Sequence, residues 1–191
     1  LTTCALICFG GLGFLVMLDV GRARSFRKLT FHSKVVLSTT ACLLALGTLL
    51  LKATEDMTWL GAFFHSVSAR TAGFSTYPIG ELSSAGLFTL ILLMFIGASP
   101  GSTGGGIKTT TFFALMQQVR SVFTKRYPGA FHRTLPSDTI SKASVIALLS
   151  GVVVCVCTFL LCILEPELSF LQLLFEAVSA FGTVGLSTGI T

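Results

Sequence analysis

The sequence predicts an all-α integral membrane fold built of repeated helix–pore loop–helix units, and three observations carry that prediction. Hydrophobic residues make up 52% of the 191 positions and charged residues 11%, with a mean hydropathy of +0.86. That leaves too little polar surface to cover a soluble globule of this size. The apolar residues are gathered into long runs of the kind a bilayer requires, about 20 residues per spanning helix. Finally, two shorter apolar runs, each ending in Thr, Gly and Ser, are copies of one another.

The first run, Leu1 to about Val20, is rich in glycine (Gly10, Gly11, Gly13) and leads into Arg22, Arg24, Arg27, Lys28 and Lys34. A second basic group follows at Arg120, Lys125, Arg126, Arg133 and Lys142, whereas Glu55, Asp56, Glu81, Glu165 and Glu167 occupy the complementary linkers. By the positive-inside rule the two basic linkers face the cytoplasm. The chain then enters from outside, turns at 21–34, returns outward through about 35–52, comes back in through 85–119 and goes out again through about 140–164. Asp19, at the inner end of the first run, is expected to pair with the neighbouring arginines, and His32 and His132 to be solvated. No secretory signal is visible, and the opening without methionine reads as an internal fragment.

Between Trp59 and Tyr77, and again between Leu168 and Thr191, about a dozen apolar residues run into Thr, Gly and Ser. Such stretches are too short to span and suit a re-entrant half-helix followed by non-helical backbone, which survives at that depth only where it lines water or is buried in protein. The run Phe64-His65-Ser66-Val67-Ser68-Ala69, then Thr71-Ala72-Gly73-Phe74-Ser75-Thr76, aligns with Phe175-Glu176-Ala177-Val178-Ser179-Ala180, then Thr183-Val184-Gly185-Leu186-Ser187-Thr188, with one extra residue in the second copy. Each is preceded by a spanning run, as an internally duplicated channel or transporter requires. The expected units are 1–30, the closing helix of an upstream repeat with its basic linker; 31–136, a complete repeat; and 137–191, a repeat ending after its pore turn.

A dehydrated cation must be re-coordinated by oxygens, and a turn of backbone carbonyls is the rigid source a membrane allows. Gly73 and Gly185 sit centrally and take φ > 0 without a side-chain clash, while Thr71 and Thr183 add a hydroxyl. The filter positions are therefore Thr71, Ala72, Gly73 and Phe74 with Thr183, Val184, Gly185 and Leu186, the ion meeting Thr71–Gly73 and Thr183–Gly185. One such turn alone could simply join two helices; two aligned copies point to a pore.

The inward span is interrupted at 97–109. Ala98, Ser99, Pro100, Gly101, Ser102, Thr103, Gly104, Gly105, Gly106 and Lys108 form a Gly-, Ser- and Pro-rich loop at membrane depth. The helix is expected to resume at about Ile107 and run to Val122. The loop is a candidate gate, with a static kink as the alternative. A lysine at that depth must meet carbonyls, an acid or water. The spacing resembles a nucleotide-binding loop, but Ile107 stands where the lysine should follow and the flanks are membrane helices, so an ATP-binding enzyme is the weaker reading. Glu176, opposite His65 in the alignment, reads as a brace for the turn rather than an ion ligand, and Arg70 as an external bracing or snorkelling residue. Cys4, Cys8, Cys42, Cys155, Cys157 and Cys162 lie in apolar runs without CxxC spacing, which opposes a disulfide frame or a zinc site. The net charge of +5 follows topology and implies no nucleic acid.

Arg70-Thr71-Ala72-Gly73-Phe74, the run Phe95 to Thr110, and Ala180 to Thr188 resemble the Trk/Ktr/HKT superfamily of potassium transporters, most nearly its Ktr membrane subunit, and Gly10-Gly11-Leu12-Gly13-Phe14 resembles the closing helix of its second repeat. The resemblance implies four repeats around one pore, a filter glycine in each, a gate in the glycine loop, and potassium as the transported ion with no cofactor bound by this chain. It also implies a multi-pass protein of the cell membrane in contact with lipid, a homodimer, and cytosolic nucleotide-binding regulatory subunits of the RCK type. Sodium-favouring relatives carry serine in the first filter, outside this sequence, so a sodium-permeable or sodium-coupled member is the alternative. A non-transporting membrane sensor on the same fold is a third reading.

Overall fold

The computed structural model describes residues 2–23, 25–125, 127–131 and 133–190. Leu1, Arg24, Arg126, His132 and Thr191, which include two of the basic linker residues, lie outside the described residues. Among the described residues eight α-helices follow in order: α1 (Thr2–Leu12), α2 (Phe14–Ala23), α3 (Phe31–Thr54), α4 (Trp59–Ser68), α5 (Ser84–Phe95), α6 (Thr109–Thr124), α7 (Ser137–Leu164) and α8 (Phe170–Phe181). A two-residue antiparallel pairing of Gly129–Ala130 with Arg133–Thr134 is the sole strand structure among the described residues.

Four of these helices start at a hydroxyl that takes an orphan backbone N–H of the first turn: Thr30 from Ser33, Thr58 from Gly61, Ser83 from Gly86 and Ser169 from Gln172. At Ser169 the Gln172 side chain returns a bond to the cap, completing a capping box. Both half-helices, α4 and α8, therefore begin at defined points. Helices α3 and α7 are long and apolar enough to cross a membrane. Along α7 the exposed Leu148, Val152, Phe159 and Ile163 present the apolar surface that hydrocarbon accommodates.

The first run is not one straight span. It bends by 100° between α1 and α2, at Gly13, whose φ of 80° belongs to the left-handed region. The cause is the interrupted span: a Cβ on Gly13 would stand 2.7 Å from the Pro100 carbonyl oxygen. The backbone groups freed at the break are satisfied there, Ser99 N–H donating to Gly11 O (3.1 Å) and Phe14 N–H to Gly101 O (3.4 Å).

The inward span is likewise two helices, α5 and α6, separated by residues 96–108. Ile96 and Ile107 form a parallel bridge across the base of that loop, and Ile107 N–H donates to Phe95 O at 3.1 Å. Leu51, Leu90, Met94, Phe175, Val178 and Val184 pack in a core that joins α3, α5 and α8 and reaches the turn that follows α8.

The two basic linkers come together, and the linker bearing Glu55 meets the start of α5. The Phe131 ring meets Phe26 and Phe31 edge-on, each with centroids 6.4 Å apart, tying the two basic linkers together. At the acidic end, Glu55 accepts from Ser83 N–H (3.1 Å) and its hydroxyl (2.5 Å). Asp19 departs from expectation. Its carboxylate accepts from Thr30 N–H (2.9 Å) and Thr30 Oγ1 (2.7 Å), and the only ion pair among the described residues is Lys142–Asp138. Asp19 thus ties α2 to the start of α3 instead of neutralising arginines.

Candidate functional site

After each half-helix the backbone alternates in hand. Thr71 and Gly73 have φ of 81° and 73°, Thr183 and Gly185 of 53° and 84°, while Ala72 and Val184 between them stay at negative φ. Alternation of this kind turns successive carbonyls toward one side instead of opposite sides. Positive φ was expected at the glycines; at the threonines it was not, because a β-branched residue there costs about 1–2 kcal/mol. Neighbouring bonds hold the strain: Ala72 N–H donates to Ser68 O (3.0 Å) and Val184 N–H to Ser179 O (2.9 Å). The same serines close the turns from their hydroxyls, Ser68 onto Phe74 O and Ser179 onto Leu186 O at 2.6 Å. The repeat alignment pairs these serines but assigns them no part; their identity in both copies was the signal.

The two turns lie side by side. A Cβ on Gly73 would come within 2.2 Å of Val184 O, whereas one on Gly185 would meet nothing within 4 Å among the described residues. The flanking side chains differ as well, Phe74 being exposed and Leu186 buried.

Glu176 is a brace in geometry. Its Oε1 accepts from Thr188 N–H (2.7 Å), Ser187 Oγ (2.9 Å) and Thr188 Oγ1 (3.0 Å). In the other copy His65 Nε2 lies 3.3 Å from Ser75 Oγ, the position aligned with Ser187. Glu176→Gln, which keeps an acceptor oxygen, is therefore expected to change potassium-over-sodium flux in the full-length protein less than about threefold. Glu176→Ala, which removes all three bonds, is expected to lower that ratio by about tenfold, at about 1 kcal/mol per bond partly offset by water. Equal losses in ion-flux assays of the two variants would mean that the ion uses the charge itself.

The glycine loop sits against both turns. A Cβ on Gly104 would fall 2.3 Å from Thr71 Oγ1, and Gly105 N–H donates to Thr183 Oγ1 at 3.0 Å. Lys108 Nζ donates back to Gly104 O, so the lysine meets a carbonyl of its own loop. Ser99 O accepts from Ser102 N–H (3.2 Å) and Ser102 Oγ (2.5 Å), and Thr109 Oγ1 donates to Ser99 Oγ at 3.3 Å. Thr103 lies exposed on the loop's surface. Arg70 does not reach outward to water: it is 7% exposed, and its Nη2 donates inward to Gly97 O at 3.0 Å. Its chain position beside the turn suggested the outer surface, but α4 ends facing the loop.

A family model described as the TrkH cation transport protein matches residues 35–191. The chain belongs to the TrkH cation transport family. Among its relatives are the Ktr system potassium uptake protein B of Vibrio alginolyticus, 40% identical over 100% of this chain and 45% of that protein. The potassium/sodium uptake protein NtpJ of Enterococcus hirae is 39% identical over 98% and 45%. The crystal structure of the potassium transporter TrkH from Vibrio parahaemolyticus superposes with a TM-score of 0.68 at 20% identity, over 99% of this chain and 45% of that one. This chain spans less than half the length of these relatives. The fold is that of an integral membrane transporter of the cell membrane, and the ATP-binding enzyme reading falls with the family assignment.

Proposed function

We propose that the full-length protein takes up potassium across the cell membrane through a pore to which this chain contributes two filter turns and the gate. The observation that carries this reading is the pair of adjacent turns, Thr71–Gly73 and Thr183–Gly185, each alternating in φ. In it the ion sheds water at their carbonyls and then passes the loop 98–107. Residues 1–30 close an upstream repeat, 31–136 are a complete repeat, and 137–191 carry the next repeat through its filter.

The loop suits a gate because it contacts both filter threonines while being held by single hydrogen bonds, each worth about 1 kcal/mol net. Two such membrane subunits assemble on cytosolic nucleotide-binding regulatory subunits, and the basic linkers joined through Phe131 offer the cytoplasmic surface for that docking.

Expression of the full-length gene in a host lacking potassium uptake is expected to restore growth at low potassium; no rescue, with the protein present in the membrane, contradicts transport and favours a sensor. A sodium-permeable pore is the second reading, because the Enterococcus relative carries both ions in its name. Sodium uptake through the protein distinguishes that reading, and growth rescue that depends on added sodium distinguishes a sodium-coupled member.

A further inference from the structure

Arg70 makes one hydrogen bond with a side chain built to donate five, and it does so away from solvent. Besides Nη2, which bonds Gly97 O, its Nε and Nη1 are buried and find no partner among the described residues. Thr40 Oγ1, on α3, is buried and unpartnered in the same way. Both side chains line one small cavity behind the first pore turn, together with Cys8, Gly11, Leu44 and Ala98. Leaving such donors empty costs several kcal/mol for a charged group, so native structures satisfy them with water where the space is polar and large enough. The free volume there is about 20 Å³, above the 10–15 Å³ or so that one water needs.

We infer that this cavity is an internal water site, and that Arg70 with its water is a positioning element fastening the glycine loop to the back of the first turn. The water accepts from the Arg70 guanidinium and shares a bond with Thr40 Oγ1. Arg70 fastens the loop directly at Gly97, next to Ala98 on the cavity wall, while α1 holds it at Ser99 through Gly11 O. The loop is thereby held at Gly97 and Ser99 as well as at its contacts with Thr71 and Thr183. The element is built from α1, α3, the end of α4 and the loop. Its consequence for flux rests on the loop being the gate; its existence as a site does not.

The test has a structural and a functional arm, both on the full-length protein in lipid. A map fine enough to resolve waters is expected to show one in the wild-type cavity within hydrogen-bond distance of Arg70, and none in Thr40→Val, which keeps the volume and removes the hydroxyl. A dry cavity, or a carboxylate from elsewhere in the protein within 4 Å or so of the guanidinium, overturns the inference. In flux assays Thr40→Val is expected to raise unregulated potassium leak about fivefold, the loss of one bond's worth of closure, with the potassium-to-sodium ratio unchanged. Arg70→Lys is expected to retain part of the closure, and Arg70→Leu none. A Thr40→Val protein that has lost its water but leaks no more than wild type, where removal of Gly104–Gly106 does raise the leak, overturns the clamp. If the water is present but removal of Gly104–Gly106 raises no leak, it is the gate reading that fails and not the site.

Discussion

Gly73→Ala in the full-length protein is expected to cut potassium flux by at least tenfold and to lower potassium-over-sodium selectivity. Both glycines have positive φ, so each alanine carries about 1–2 kcal/mol of backbone strain. At Gly73 lack of space adds to the strain: the new Cβ overlaps the Val184 carbonyl at 2.2 Å, and that oxygen belongs to a proposed filter turn that cannot yield without turning its carbonyl. Isotope uptake and competition between potassium and sodium, scaled to the amount of protein in the membrane, measure both effects; unchanged flux and selectivity would contradict the filter assignment.

Removing Gly104–Gly106 is the second large effect. The excised residues carry the contact with Thr71, the bond to Thr183 and the carbonyl that Lys108 holds. If the loop is a gate, the shortened protein conducts without its regulatory signal, and basal flux rises by about an order of magnitude, the loss of two bonds at about 1 kcal/mol each less what the new loop regains. Unchanged or abolished flux leaves only a kink between α5 and α6. Gly97→Ala offers a gentler check, since its Cβ would lie 1.9 Å from Gly105 O and must displace the same loop by one side chain.

Much of this arrangement was legible because membrane solvation speaks plainly in sequence. Long apolar runs fix α3 and α7, short ones fix α4 and α8, and Pro100 with its glycines marks where the inward span must stop being a helix. The repeat alignment placed both turns opposite the same chemistry. What it missed has a common physical cause: the missing information was tertiary. Gly13 looked like one more small residue in an apolar run, and its bend exists because Pro100 approaches from another segment. The place of Arg70 in the chain points to the outer surface, although its direction is set by where α4 points it. At Thr71 and Thr183 the sequence shows the hydroxyls but not the positive φ, since no local preference favours a β-branched residue there; the cross-bonds from Ser68 and Ser179 hold it. Asp19 found Thr30 because the end of α2 meets the start of α3, which charge counting could not foresee.

In the proposed pore, main-chain oxygens take over the ion's hydration. Locating the ion in the full-length protein, by anomalous scattering from rubidium or thallium in place of potassium, tests it most directly. Density is expected on the axis of the pore at the level of Thr71–Gly73 and Thr183–Gly185, ringed by their carbonyl oxygens and clear of the Glu176 carboxylate. Density held by side-chain oxygens, or peptide oxygens of these two turns facing away from the ion, would contradict it.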